Sequence, residues 1–133
     1  MAKINTKLVS WEEVVDWAYL LSEKIMISGW IPDLIVAISR GGYVPARMVC
    51  DFLDIHDLVS IQILHWGRAA EITTKAHVKY PLDIDMHDKK VLIVDDICDT
   101  GDSIIVAKEY IQEKCGPKKS KLPFSNGLVL LQR

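Results

Sequence analysis

The chain has 133 residues, half of them apolar, with 16 basic and 18 acidic side chains and a formal net charge of −2. That is room for one hydrophobic core and too little for two, so a single domain over 1–133 is expected. The near balance of charge excludes a global basic field that would draw nucleic acid or an anionic membrane, while leaving room for a local basic site.

Three cysteines, Cys50, Cys98 and Cys115, are odd in number and widely spaced, which fits neither a disulfide framework nor a zinc-binding pair. They read as reduced thiols of a cytoplasmic protein. The start, MAKINTKLVS, lacks the apolar core of a signal peptide, and no run approaches the roughly 20 apolar residues that span a bilayer. A soluble chain is expected. The histidines, His56, His65, His77 and His87, show no metal-ligand spacing and read as surface or turn residues.

In chain order, Ser10 and Glu13 form an S-x-x-E capping box, and Trp11, Val14, Ala18, Leu21 and Ile25 then recur at helical steps up to Ser28-Gly29. This predicts an amphipathic helix, with Trp11 and Trp17 as core or interface residues. The run LIVAIS at 34–39 predicts a strand, followed by a turn at Arg40-Gly41-Gly42 and a helix with Pro45 in its first turn. Val49, Phe52 and Leu53 are its expected buried face. A second strand lies around LVSIQILHW, and much of the following GRAAEITTKAHVKY, with little periodicity, reads as a mobile loop.

The strand VLIVDD comes next. A helix is expected from Ser103 onward, with Ile104, Ala107, Ile111 and Cys115 on one stripe and Gly116-Pro117 ending it. A last strand, GLVLLQ, begins at Gly127. Strands alternating with helices predict an α/β fold, a mostly parallel twisted sheet flanked by helices on both faces. In such folds ligands bind beyond the carboxyl ends of the strands, where both unusual turns, at Arg40 and Asp95, fall.

The second of these turns, VLIVDDICDTGDSI, concentrates Asp95, Asp96, Asp99 and Asp102 at a strand end. Repulsion and desolvation oppose such crowding, so its placement suggests a ligand rich in hydrogen-bond donors. A strand entering a small polar turn and then a helix gathers backbone N–H groups and the positive helix end around one spot, which suits a phosphate. Thr100 and Ser103 add hydroxyls, and Gly101 permits close approach or a positive φ. The GxxxxGK[ST] pattern of a P-loop is absent. Asp95 and Asp96 can accept from neighbouring hydroxyls such as a ribose diol, each bond contributing about 1.5–3 kcal/mol. Phosphate below and diol beside describe a ribose 5-phosphate.

The segment VLIVDDICDTGDS resembles the signature of the type I phosphoribosyltransferases, which bind 5-phosphoribosyl-1-pyrophosphate. ISRGGYVPAR at 38–47 resembles the pyrophosphate-binding turn of their purine branch, the xanthine-guanine and archaeal hypoxanthine or purine enzymes, and SWEEVVDWAYLLSEKI resembles their opening helix. The resemblance implies that Asp95 and Asp96 hold the ribose hydroxyls. Asp99, Thr100, Gly101, Asp102 and Ser103 then surround the 5-phosphate, and Ser39, Arg40, Gly41 and Gly42 receive pyrophosphate. Asp99 matches the family carboxylate near the purine N7, a general acid/base. Magnesium arrives with the pyrophosphate, without a dedicated protein site.

The resemblance further implies a purine base as second substrate, a homodimer or higher homo-oligomer, and a flexible loop at 66–80 in which Arg68 or Lys75 reaches pyrophosphate. Relatives of the purine branch continue beyond the LVLLQR strand into a hood over the base, so the hood is expected to be reduced or missing; Gln132 stands where many of them place a lysine. Two other readings are a response-regulator receiver, whose acidic pair belongs nearer the start of its domain, and a regulatory protein of the same fold that senses the ribosyl pyrophosphate without making nucleotide.

Overall fold

The computed structural model describes residues 8–66, 75–97, 101–116 and 128–129. Helix α1 spans Trp11–Ser28 and starts on the expected box: the Glu13 N–H donates to Ser10 Oγ at 3.1 Å and the Ser10 N–H donates to Glu13 Oε2 at 2.9 Å. It ends at Gly29, whose φ of 73° is the left-handed conformation that glycine adopts without Cβ strain. Ala18, Ser22 and Ile25 form its buried stripe, and the Ser22 hydroxyl is satisfied there by the Ala18 carbonyl at 2.8 Å. Trp11, expected in a core or interface, is 62% exposed.

Strand β1, Leu34–Ser39, leads to helix α2, Tyr43–Leu53, with Gly42 as its N-cap and Pro45 in the first turn. The buried face of α2 is Pro45, Ala46, Val49 and Cys50. Phe52, expected with them, lies at the surface with its ring edge-on to Tyr19. Strand β2, Leu58–Trp66, is followed by β3, Lys75–Tyr80, paired antiparallel to it with Val78 opposite Ile63. Residues 75–80 of the stretch expected to be largely a mobile loop are therefore strand, while 67–74 lie outside the described residues: KAHVKY is too short for its alternation to stand out, and cross-strand pairing with β2 supplies the order. His77 accordingly sits within β3 rather than in a turn.

Strand β4, Val91–Val94, precedes helix α3, Asp102–Lys114, and β5, Leu128–Val129. Ala107, Ile111 and Cys115 are buried as the stripe predicts. Among the described residues the five strands run in the order β3-β2-β1-β4-β5. All neighbours are parallel except β2 and β3.

Residues of β1 alternate between two cores. Leu34, Val36 and Ile38 join Ile61, Ile93, Met86, Ala107 and Ile111 under α3. Ile35 and Ala37 join Leu92, Val94, Ala18, Ala46 and Val49 under α1 and α2. Burial on both faces explains why LIVAIS and VLIV read as continuous apolar runs. The beginnings of β1 and β4 are stitched together, the Lys90 N–H donating to Asp33 Oδ2 at 2.7 Å and the Asp33 N–H to the Lys90 carbonyl at 2.8 Å. No helix among the described residues is long and apolar enough to cross a membrane.

Candidate functional site

After β1 the chain moves outward to β2 on one side, while β4 pairs on the other, so the crevice beyond the carboxyl ends of β1 and β4 is the topological switch point of the sheet. Ala37 is in register with Val94, which brings the Ser39–Gly42 turn and the Asp95-Asp96 pair to the same edge. The two stretches singled out in the sequence, over fifty residues apart, are thus neighbours in space.

The first turn is tightly wound. Ser39 Oγ donates to the Ile61 carbonyl at 3.3 Å, the Ser39–Arg40 peptide is cis, and the Gly42 N–H donates back to the Ile38 carbonyl at 2.9 Å. The Tyr43 N–H donates to the Arg40 carbonyl at 3.1 Å, and the Tyr43 hydroxyl meets Ser60 Oγ on β2 at 2.9 Å. Arg40 and Gly41 are exposed, whereas the Gly42 amide is used inside the turn.

Both glycines are enforced by packing. A Cβ on Gly41 would run into the Asp96 carboxyl group, and one on Gly42 would lie 2.5 Å from the Val94 carbonyl oxygen and 2.6 Å from that of Ile38. The first obstacle is a side chain that can rotate; the second is the backbone of two core strands. Gly42→Ala is expected to lose about 3 kcal/mol and Gly41→Ala about 1 kcal/mol in urea unfolding, with the order of the two as the decisive feature.

Asp95 is 7% exposed and accepts the Asp96 N–H on Oδ1 at 2.9 Å. Burial pushes its carboxyl up to about 7; the Asp96 N–H bond opposes this, and the adjacent Asp96 carboxyl adds to it. Asp96 is half-buried against Gly41. Five residues on, Gly101 caps α3 with φ 84°, and its carbonyl accepts the Ile105 N–H at 3.0 Å. Asp102 and Ser103 occupy the first turn of α3, the positive end of that helix dipole. Cys98, Asp99, Thr100, Arg68 and Gln132 lie outside the described residues.

Sequence reasoning assigned Gly41 to a ligand and missed that it also makes room for Asp96. The bracing of Tyr43 on Ser60 was likewise missed. The glycine doublet carried a signal for the first; nothing local signals a hydroxyl contact across 17 residues.

This arrangement of switch point, paired acids and glycine turn matches a known class. The chain belongs to the phosphoribosyltransferase family: the model of the phosphoribosyl transferase domain matches residues 7–122. It is 32% identical over 107 residues to the xanthine-guanine phosphoribosyltransferase of Nitratidesulfovibrio vulgaris, across 79% of this chain and 62% of that protein. The chain therefore spans less than two thirds of that curated relative. Among solved structures, the purine phosphoribosyltransferase of Pyrococcus horikoshii superposes with a TM-score of 0.70 at 29% identity, over 92% of this chain and 72% of that one. The xanthine-guanine-hypoxanthine phosphoribosyltransferase of Helicobacter pylori, at 24% identity and a TM-score of 0.67, shares the fold over 83% of this chain and 70% of its own. The family match and the shared type I fold set aside the receiver reading.

Proposed function

We propose that the protein is a purine phosphoribosyltransferase, joining a purine base to 5-phosphoribosyl-1-pyrophosphate and releasing pyrophosphate. The observation that carries the reading is the close approach of Gly41 to the Asp96 carboxyl group, which sets an anion-binding turn directly beside a diol-binding acid. A sugar that carries pyrophosphate on C1 and hydroxyls on C2 and C3 needs that adjacency.

In this reading Asp95 and Asp96 accept the ribose hydroxyls, and the segment from Asp99 to Ser103, with the first turn of α3, surrounds the 5-phosphate. Arg40 and the exposed backbone at Gly41 receive pyrophosphate. As its bond to C1 breaks, negative charge grows on pyrophosphate and positive charge on the ribose ring; Arg40 stabilises the first and the paired acids the second. The purine nitrogen attacks from the opposite face, and Asp99 manages the proton at N7. Holding both reactants in line is the main contribution of such a scaffold.

Among the described residues no three His, Cys, Asp or Glu side chains gather around one point, so a protein cage for a cation is not formed there. One or two carboxylates at a strand tip do fit magnesium bound chiefly through substrate oxygens, with Asp95 and Asp96 nearest. When bound, magnesium would neutralise the pyrophosphate and favour its departure.

Pyrophosphate release measured with adenine, guanine, hypoxanthine and xanthine, each with the ribosyl pyrophosphate and magnesium, tests the reading. Turnover with at least one 6-oxopurine is the expected result. Tight binding of the ribosyl pyrophosphate with no turnover on any base would replace the enzyme by a sensor of the same fold.

A further inference from the structure

Two adjacent glycines hold a shape poorly, because neither brings a side chain to pack and each has the widest choice of backbone conformations. Order in the Ser39–Gly42 turn therefore has to come from its flanks. On the entering side, Ser39 Oγ donates to the Ile61 carbonyl at 3.3 Å. On the leaving side, the Tyr43 hydroxyl meets Ser60 Oγ at 2.9 Å. The two ends of the turn are thus tacked to consecutive residues of β2, the neighbour of β1 on the side away from β4.

Tyr43 grips the turn twice, since its N–H also donates to the Arg40 carbonyl at 3.1 Å. The strand register brings Ser60 within its reach: Ser60 stands opposite Ala37, which belongs to the core under α1 and α2, and so lies on the sheet face that α2 covers. Tyr43 is 46% exposed and Ser60 half-buried. Phenylalanine would serve the packing of so exposed a ring equally well. What the tyrosine adds is the contact to β2.

We infer that Tyr43 is a positioning residue for pyrophosphate: its hydroxyl, held by Ser60, fixes the α2 end of the turn so that Arg40 and the exposed backbone at Gly41 meet the anion together. The inference rests on the reading that this turn receives pyrophosphate. Because Tyr43 acts on the turn and not on Asp95, Asp96 or α3, its effect is confined to the pyrophosphate end of the ligand.

Calorimetry of the full chain with magnesium pyrophosphate, and separately with ribose 5-phosphate, tests this. Tyr43→Phe keeps the ring and Ser60→Ala removes a single atom, so both variants should melt near the wild-type temperature. Each is expected to bind pyrophosphate about 3- to 10-fold more weakly, the size of one hydrogen bond, and to bind ribose 5-phosphate as the wild type does. The double variant should be no weaker than either single one, because both substitutions remove the same bond. In turnover, KM for the ribosyl pyrophosphate rises by that factor while kcat holds; a variant that merely loosened the fold would lower kcat through its inactive fraction and leave KM alone. A Tyr43→Phe protein that binds pyrophosphate like the wild type, an equal loss of both ligands, or single losses that multiply in the double variant overturns the inference and leaves the enzyme reading standing. A wild type that takes up neither pyrophosphate nor the ribosyl pyrophosphate overturns both.

Discussion

Asp99→Ala is expected to keep its affinity for the ribosyl pyrophosphate while losing turnover by about 100- to 10,000-fold, the usual contribution of a positioned proton-transfer group. The split between binding and chemistry follows from the division of the site. Within the segment assigned to the 5-phosphate the Asp99 carboxylate is itself an anion and gives the phosphate no attraction, so its removal leaves the contacts assigned to Arg40, Gly41, Asp95, Asp96 and the start of α3 in place. Asp99 falls between Asp96, packed against Gly41, and Gly101, the N-cap of α3. Asp99→Asn should fail equally, because an amide cannot take up the N7 proton, whereas a residue that merely shaped the turn would be well replaced by Asn. Calorimetric binding together with steady-state pyrophosphate release separates the cases. An Asn variant with wild-type turnover would make Asp99 a turn residue.

The parts of the fold that were legible in the sequence are those in which one local rule acts alone. The Ser10–Glu13 box, the Gly29 stop and the stripe of Ala107, Ile111 and Cys115 each need only neighbouring residues to be read. LIVAIS and VLIV were legible because strands covered on both faces carry no polar alternation to confuse. β3 was not, since AHVKY has weak intrinsic preference and becomes a strand through its partner Gln62–Trp66. Phe52 was misplaced for a related reason: helical spacing allowed it on the buried side, and the packing of α1 against α2 decided otherwise. At the site, the residue types of the second turn pointed to a ribose phosphate and the resemblance assigned pyrophosphate to the first, but the adjacency of the two turns depends on β1 and β4 pairing in register, which no local pattern encodes.

Asp95→Asn is expected to make the unliganded protein more stable at pH 8 and to flatten its stability against pH, while weakening the ribosyl pyrophosphate. Burial raises this carboxyl from its ordinary 3.8 to about 7, so the folded chain binds the proton more tightly than the unfolded one. Below about pH 3.8 both states carry the proton and the full stability is present; as pH rises from there through about 7 the unfolded chain ionises first, and stability is lost until the folded chain ionises too. At 1.36 kcal/mol per pH unit the loss is bounded at about 4 kcal/mol, and on the order of 2 kcal/mol is expected once water reaches the crevice. An amide carries no such penalty, so the gain should appear at pH 8 and vanish near pH 4 in urea melts.

Ligand binding has the opposite sign. Ribose hydroxyls donate to the ionised carboxylate, so affinity should rise about 10-fold from pH 6 to pH 8 in the wild type as the Asp95 proton leaves. The ligand has phosphate ionisations of its own in that range, and Asp95→Asn retains only those. Equal pH slopes in the two proteins would mean that Asp95 is not the acid that meets the sugar. A buried acid that weakens the empty fold and strengthens the filled one is consistent with a residue retained for its ligand. The direction of both slopes, measured on one pair of proteins, decides whether Asp95 is such a residue.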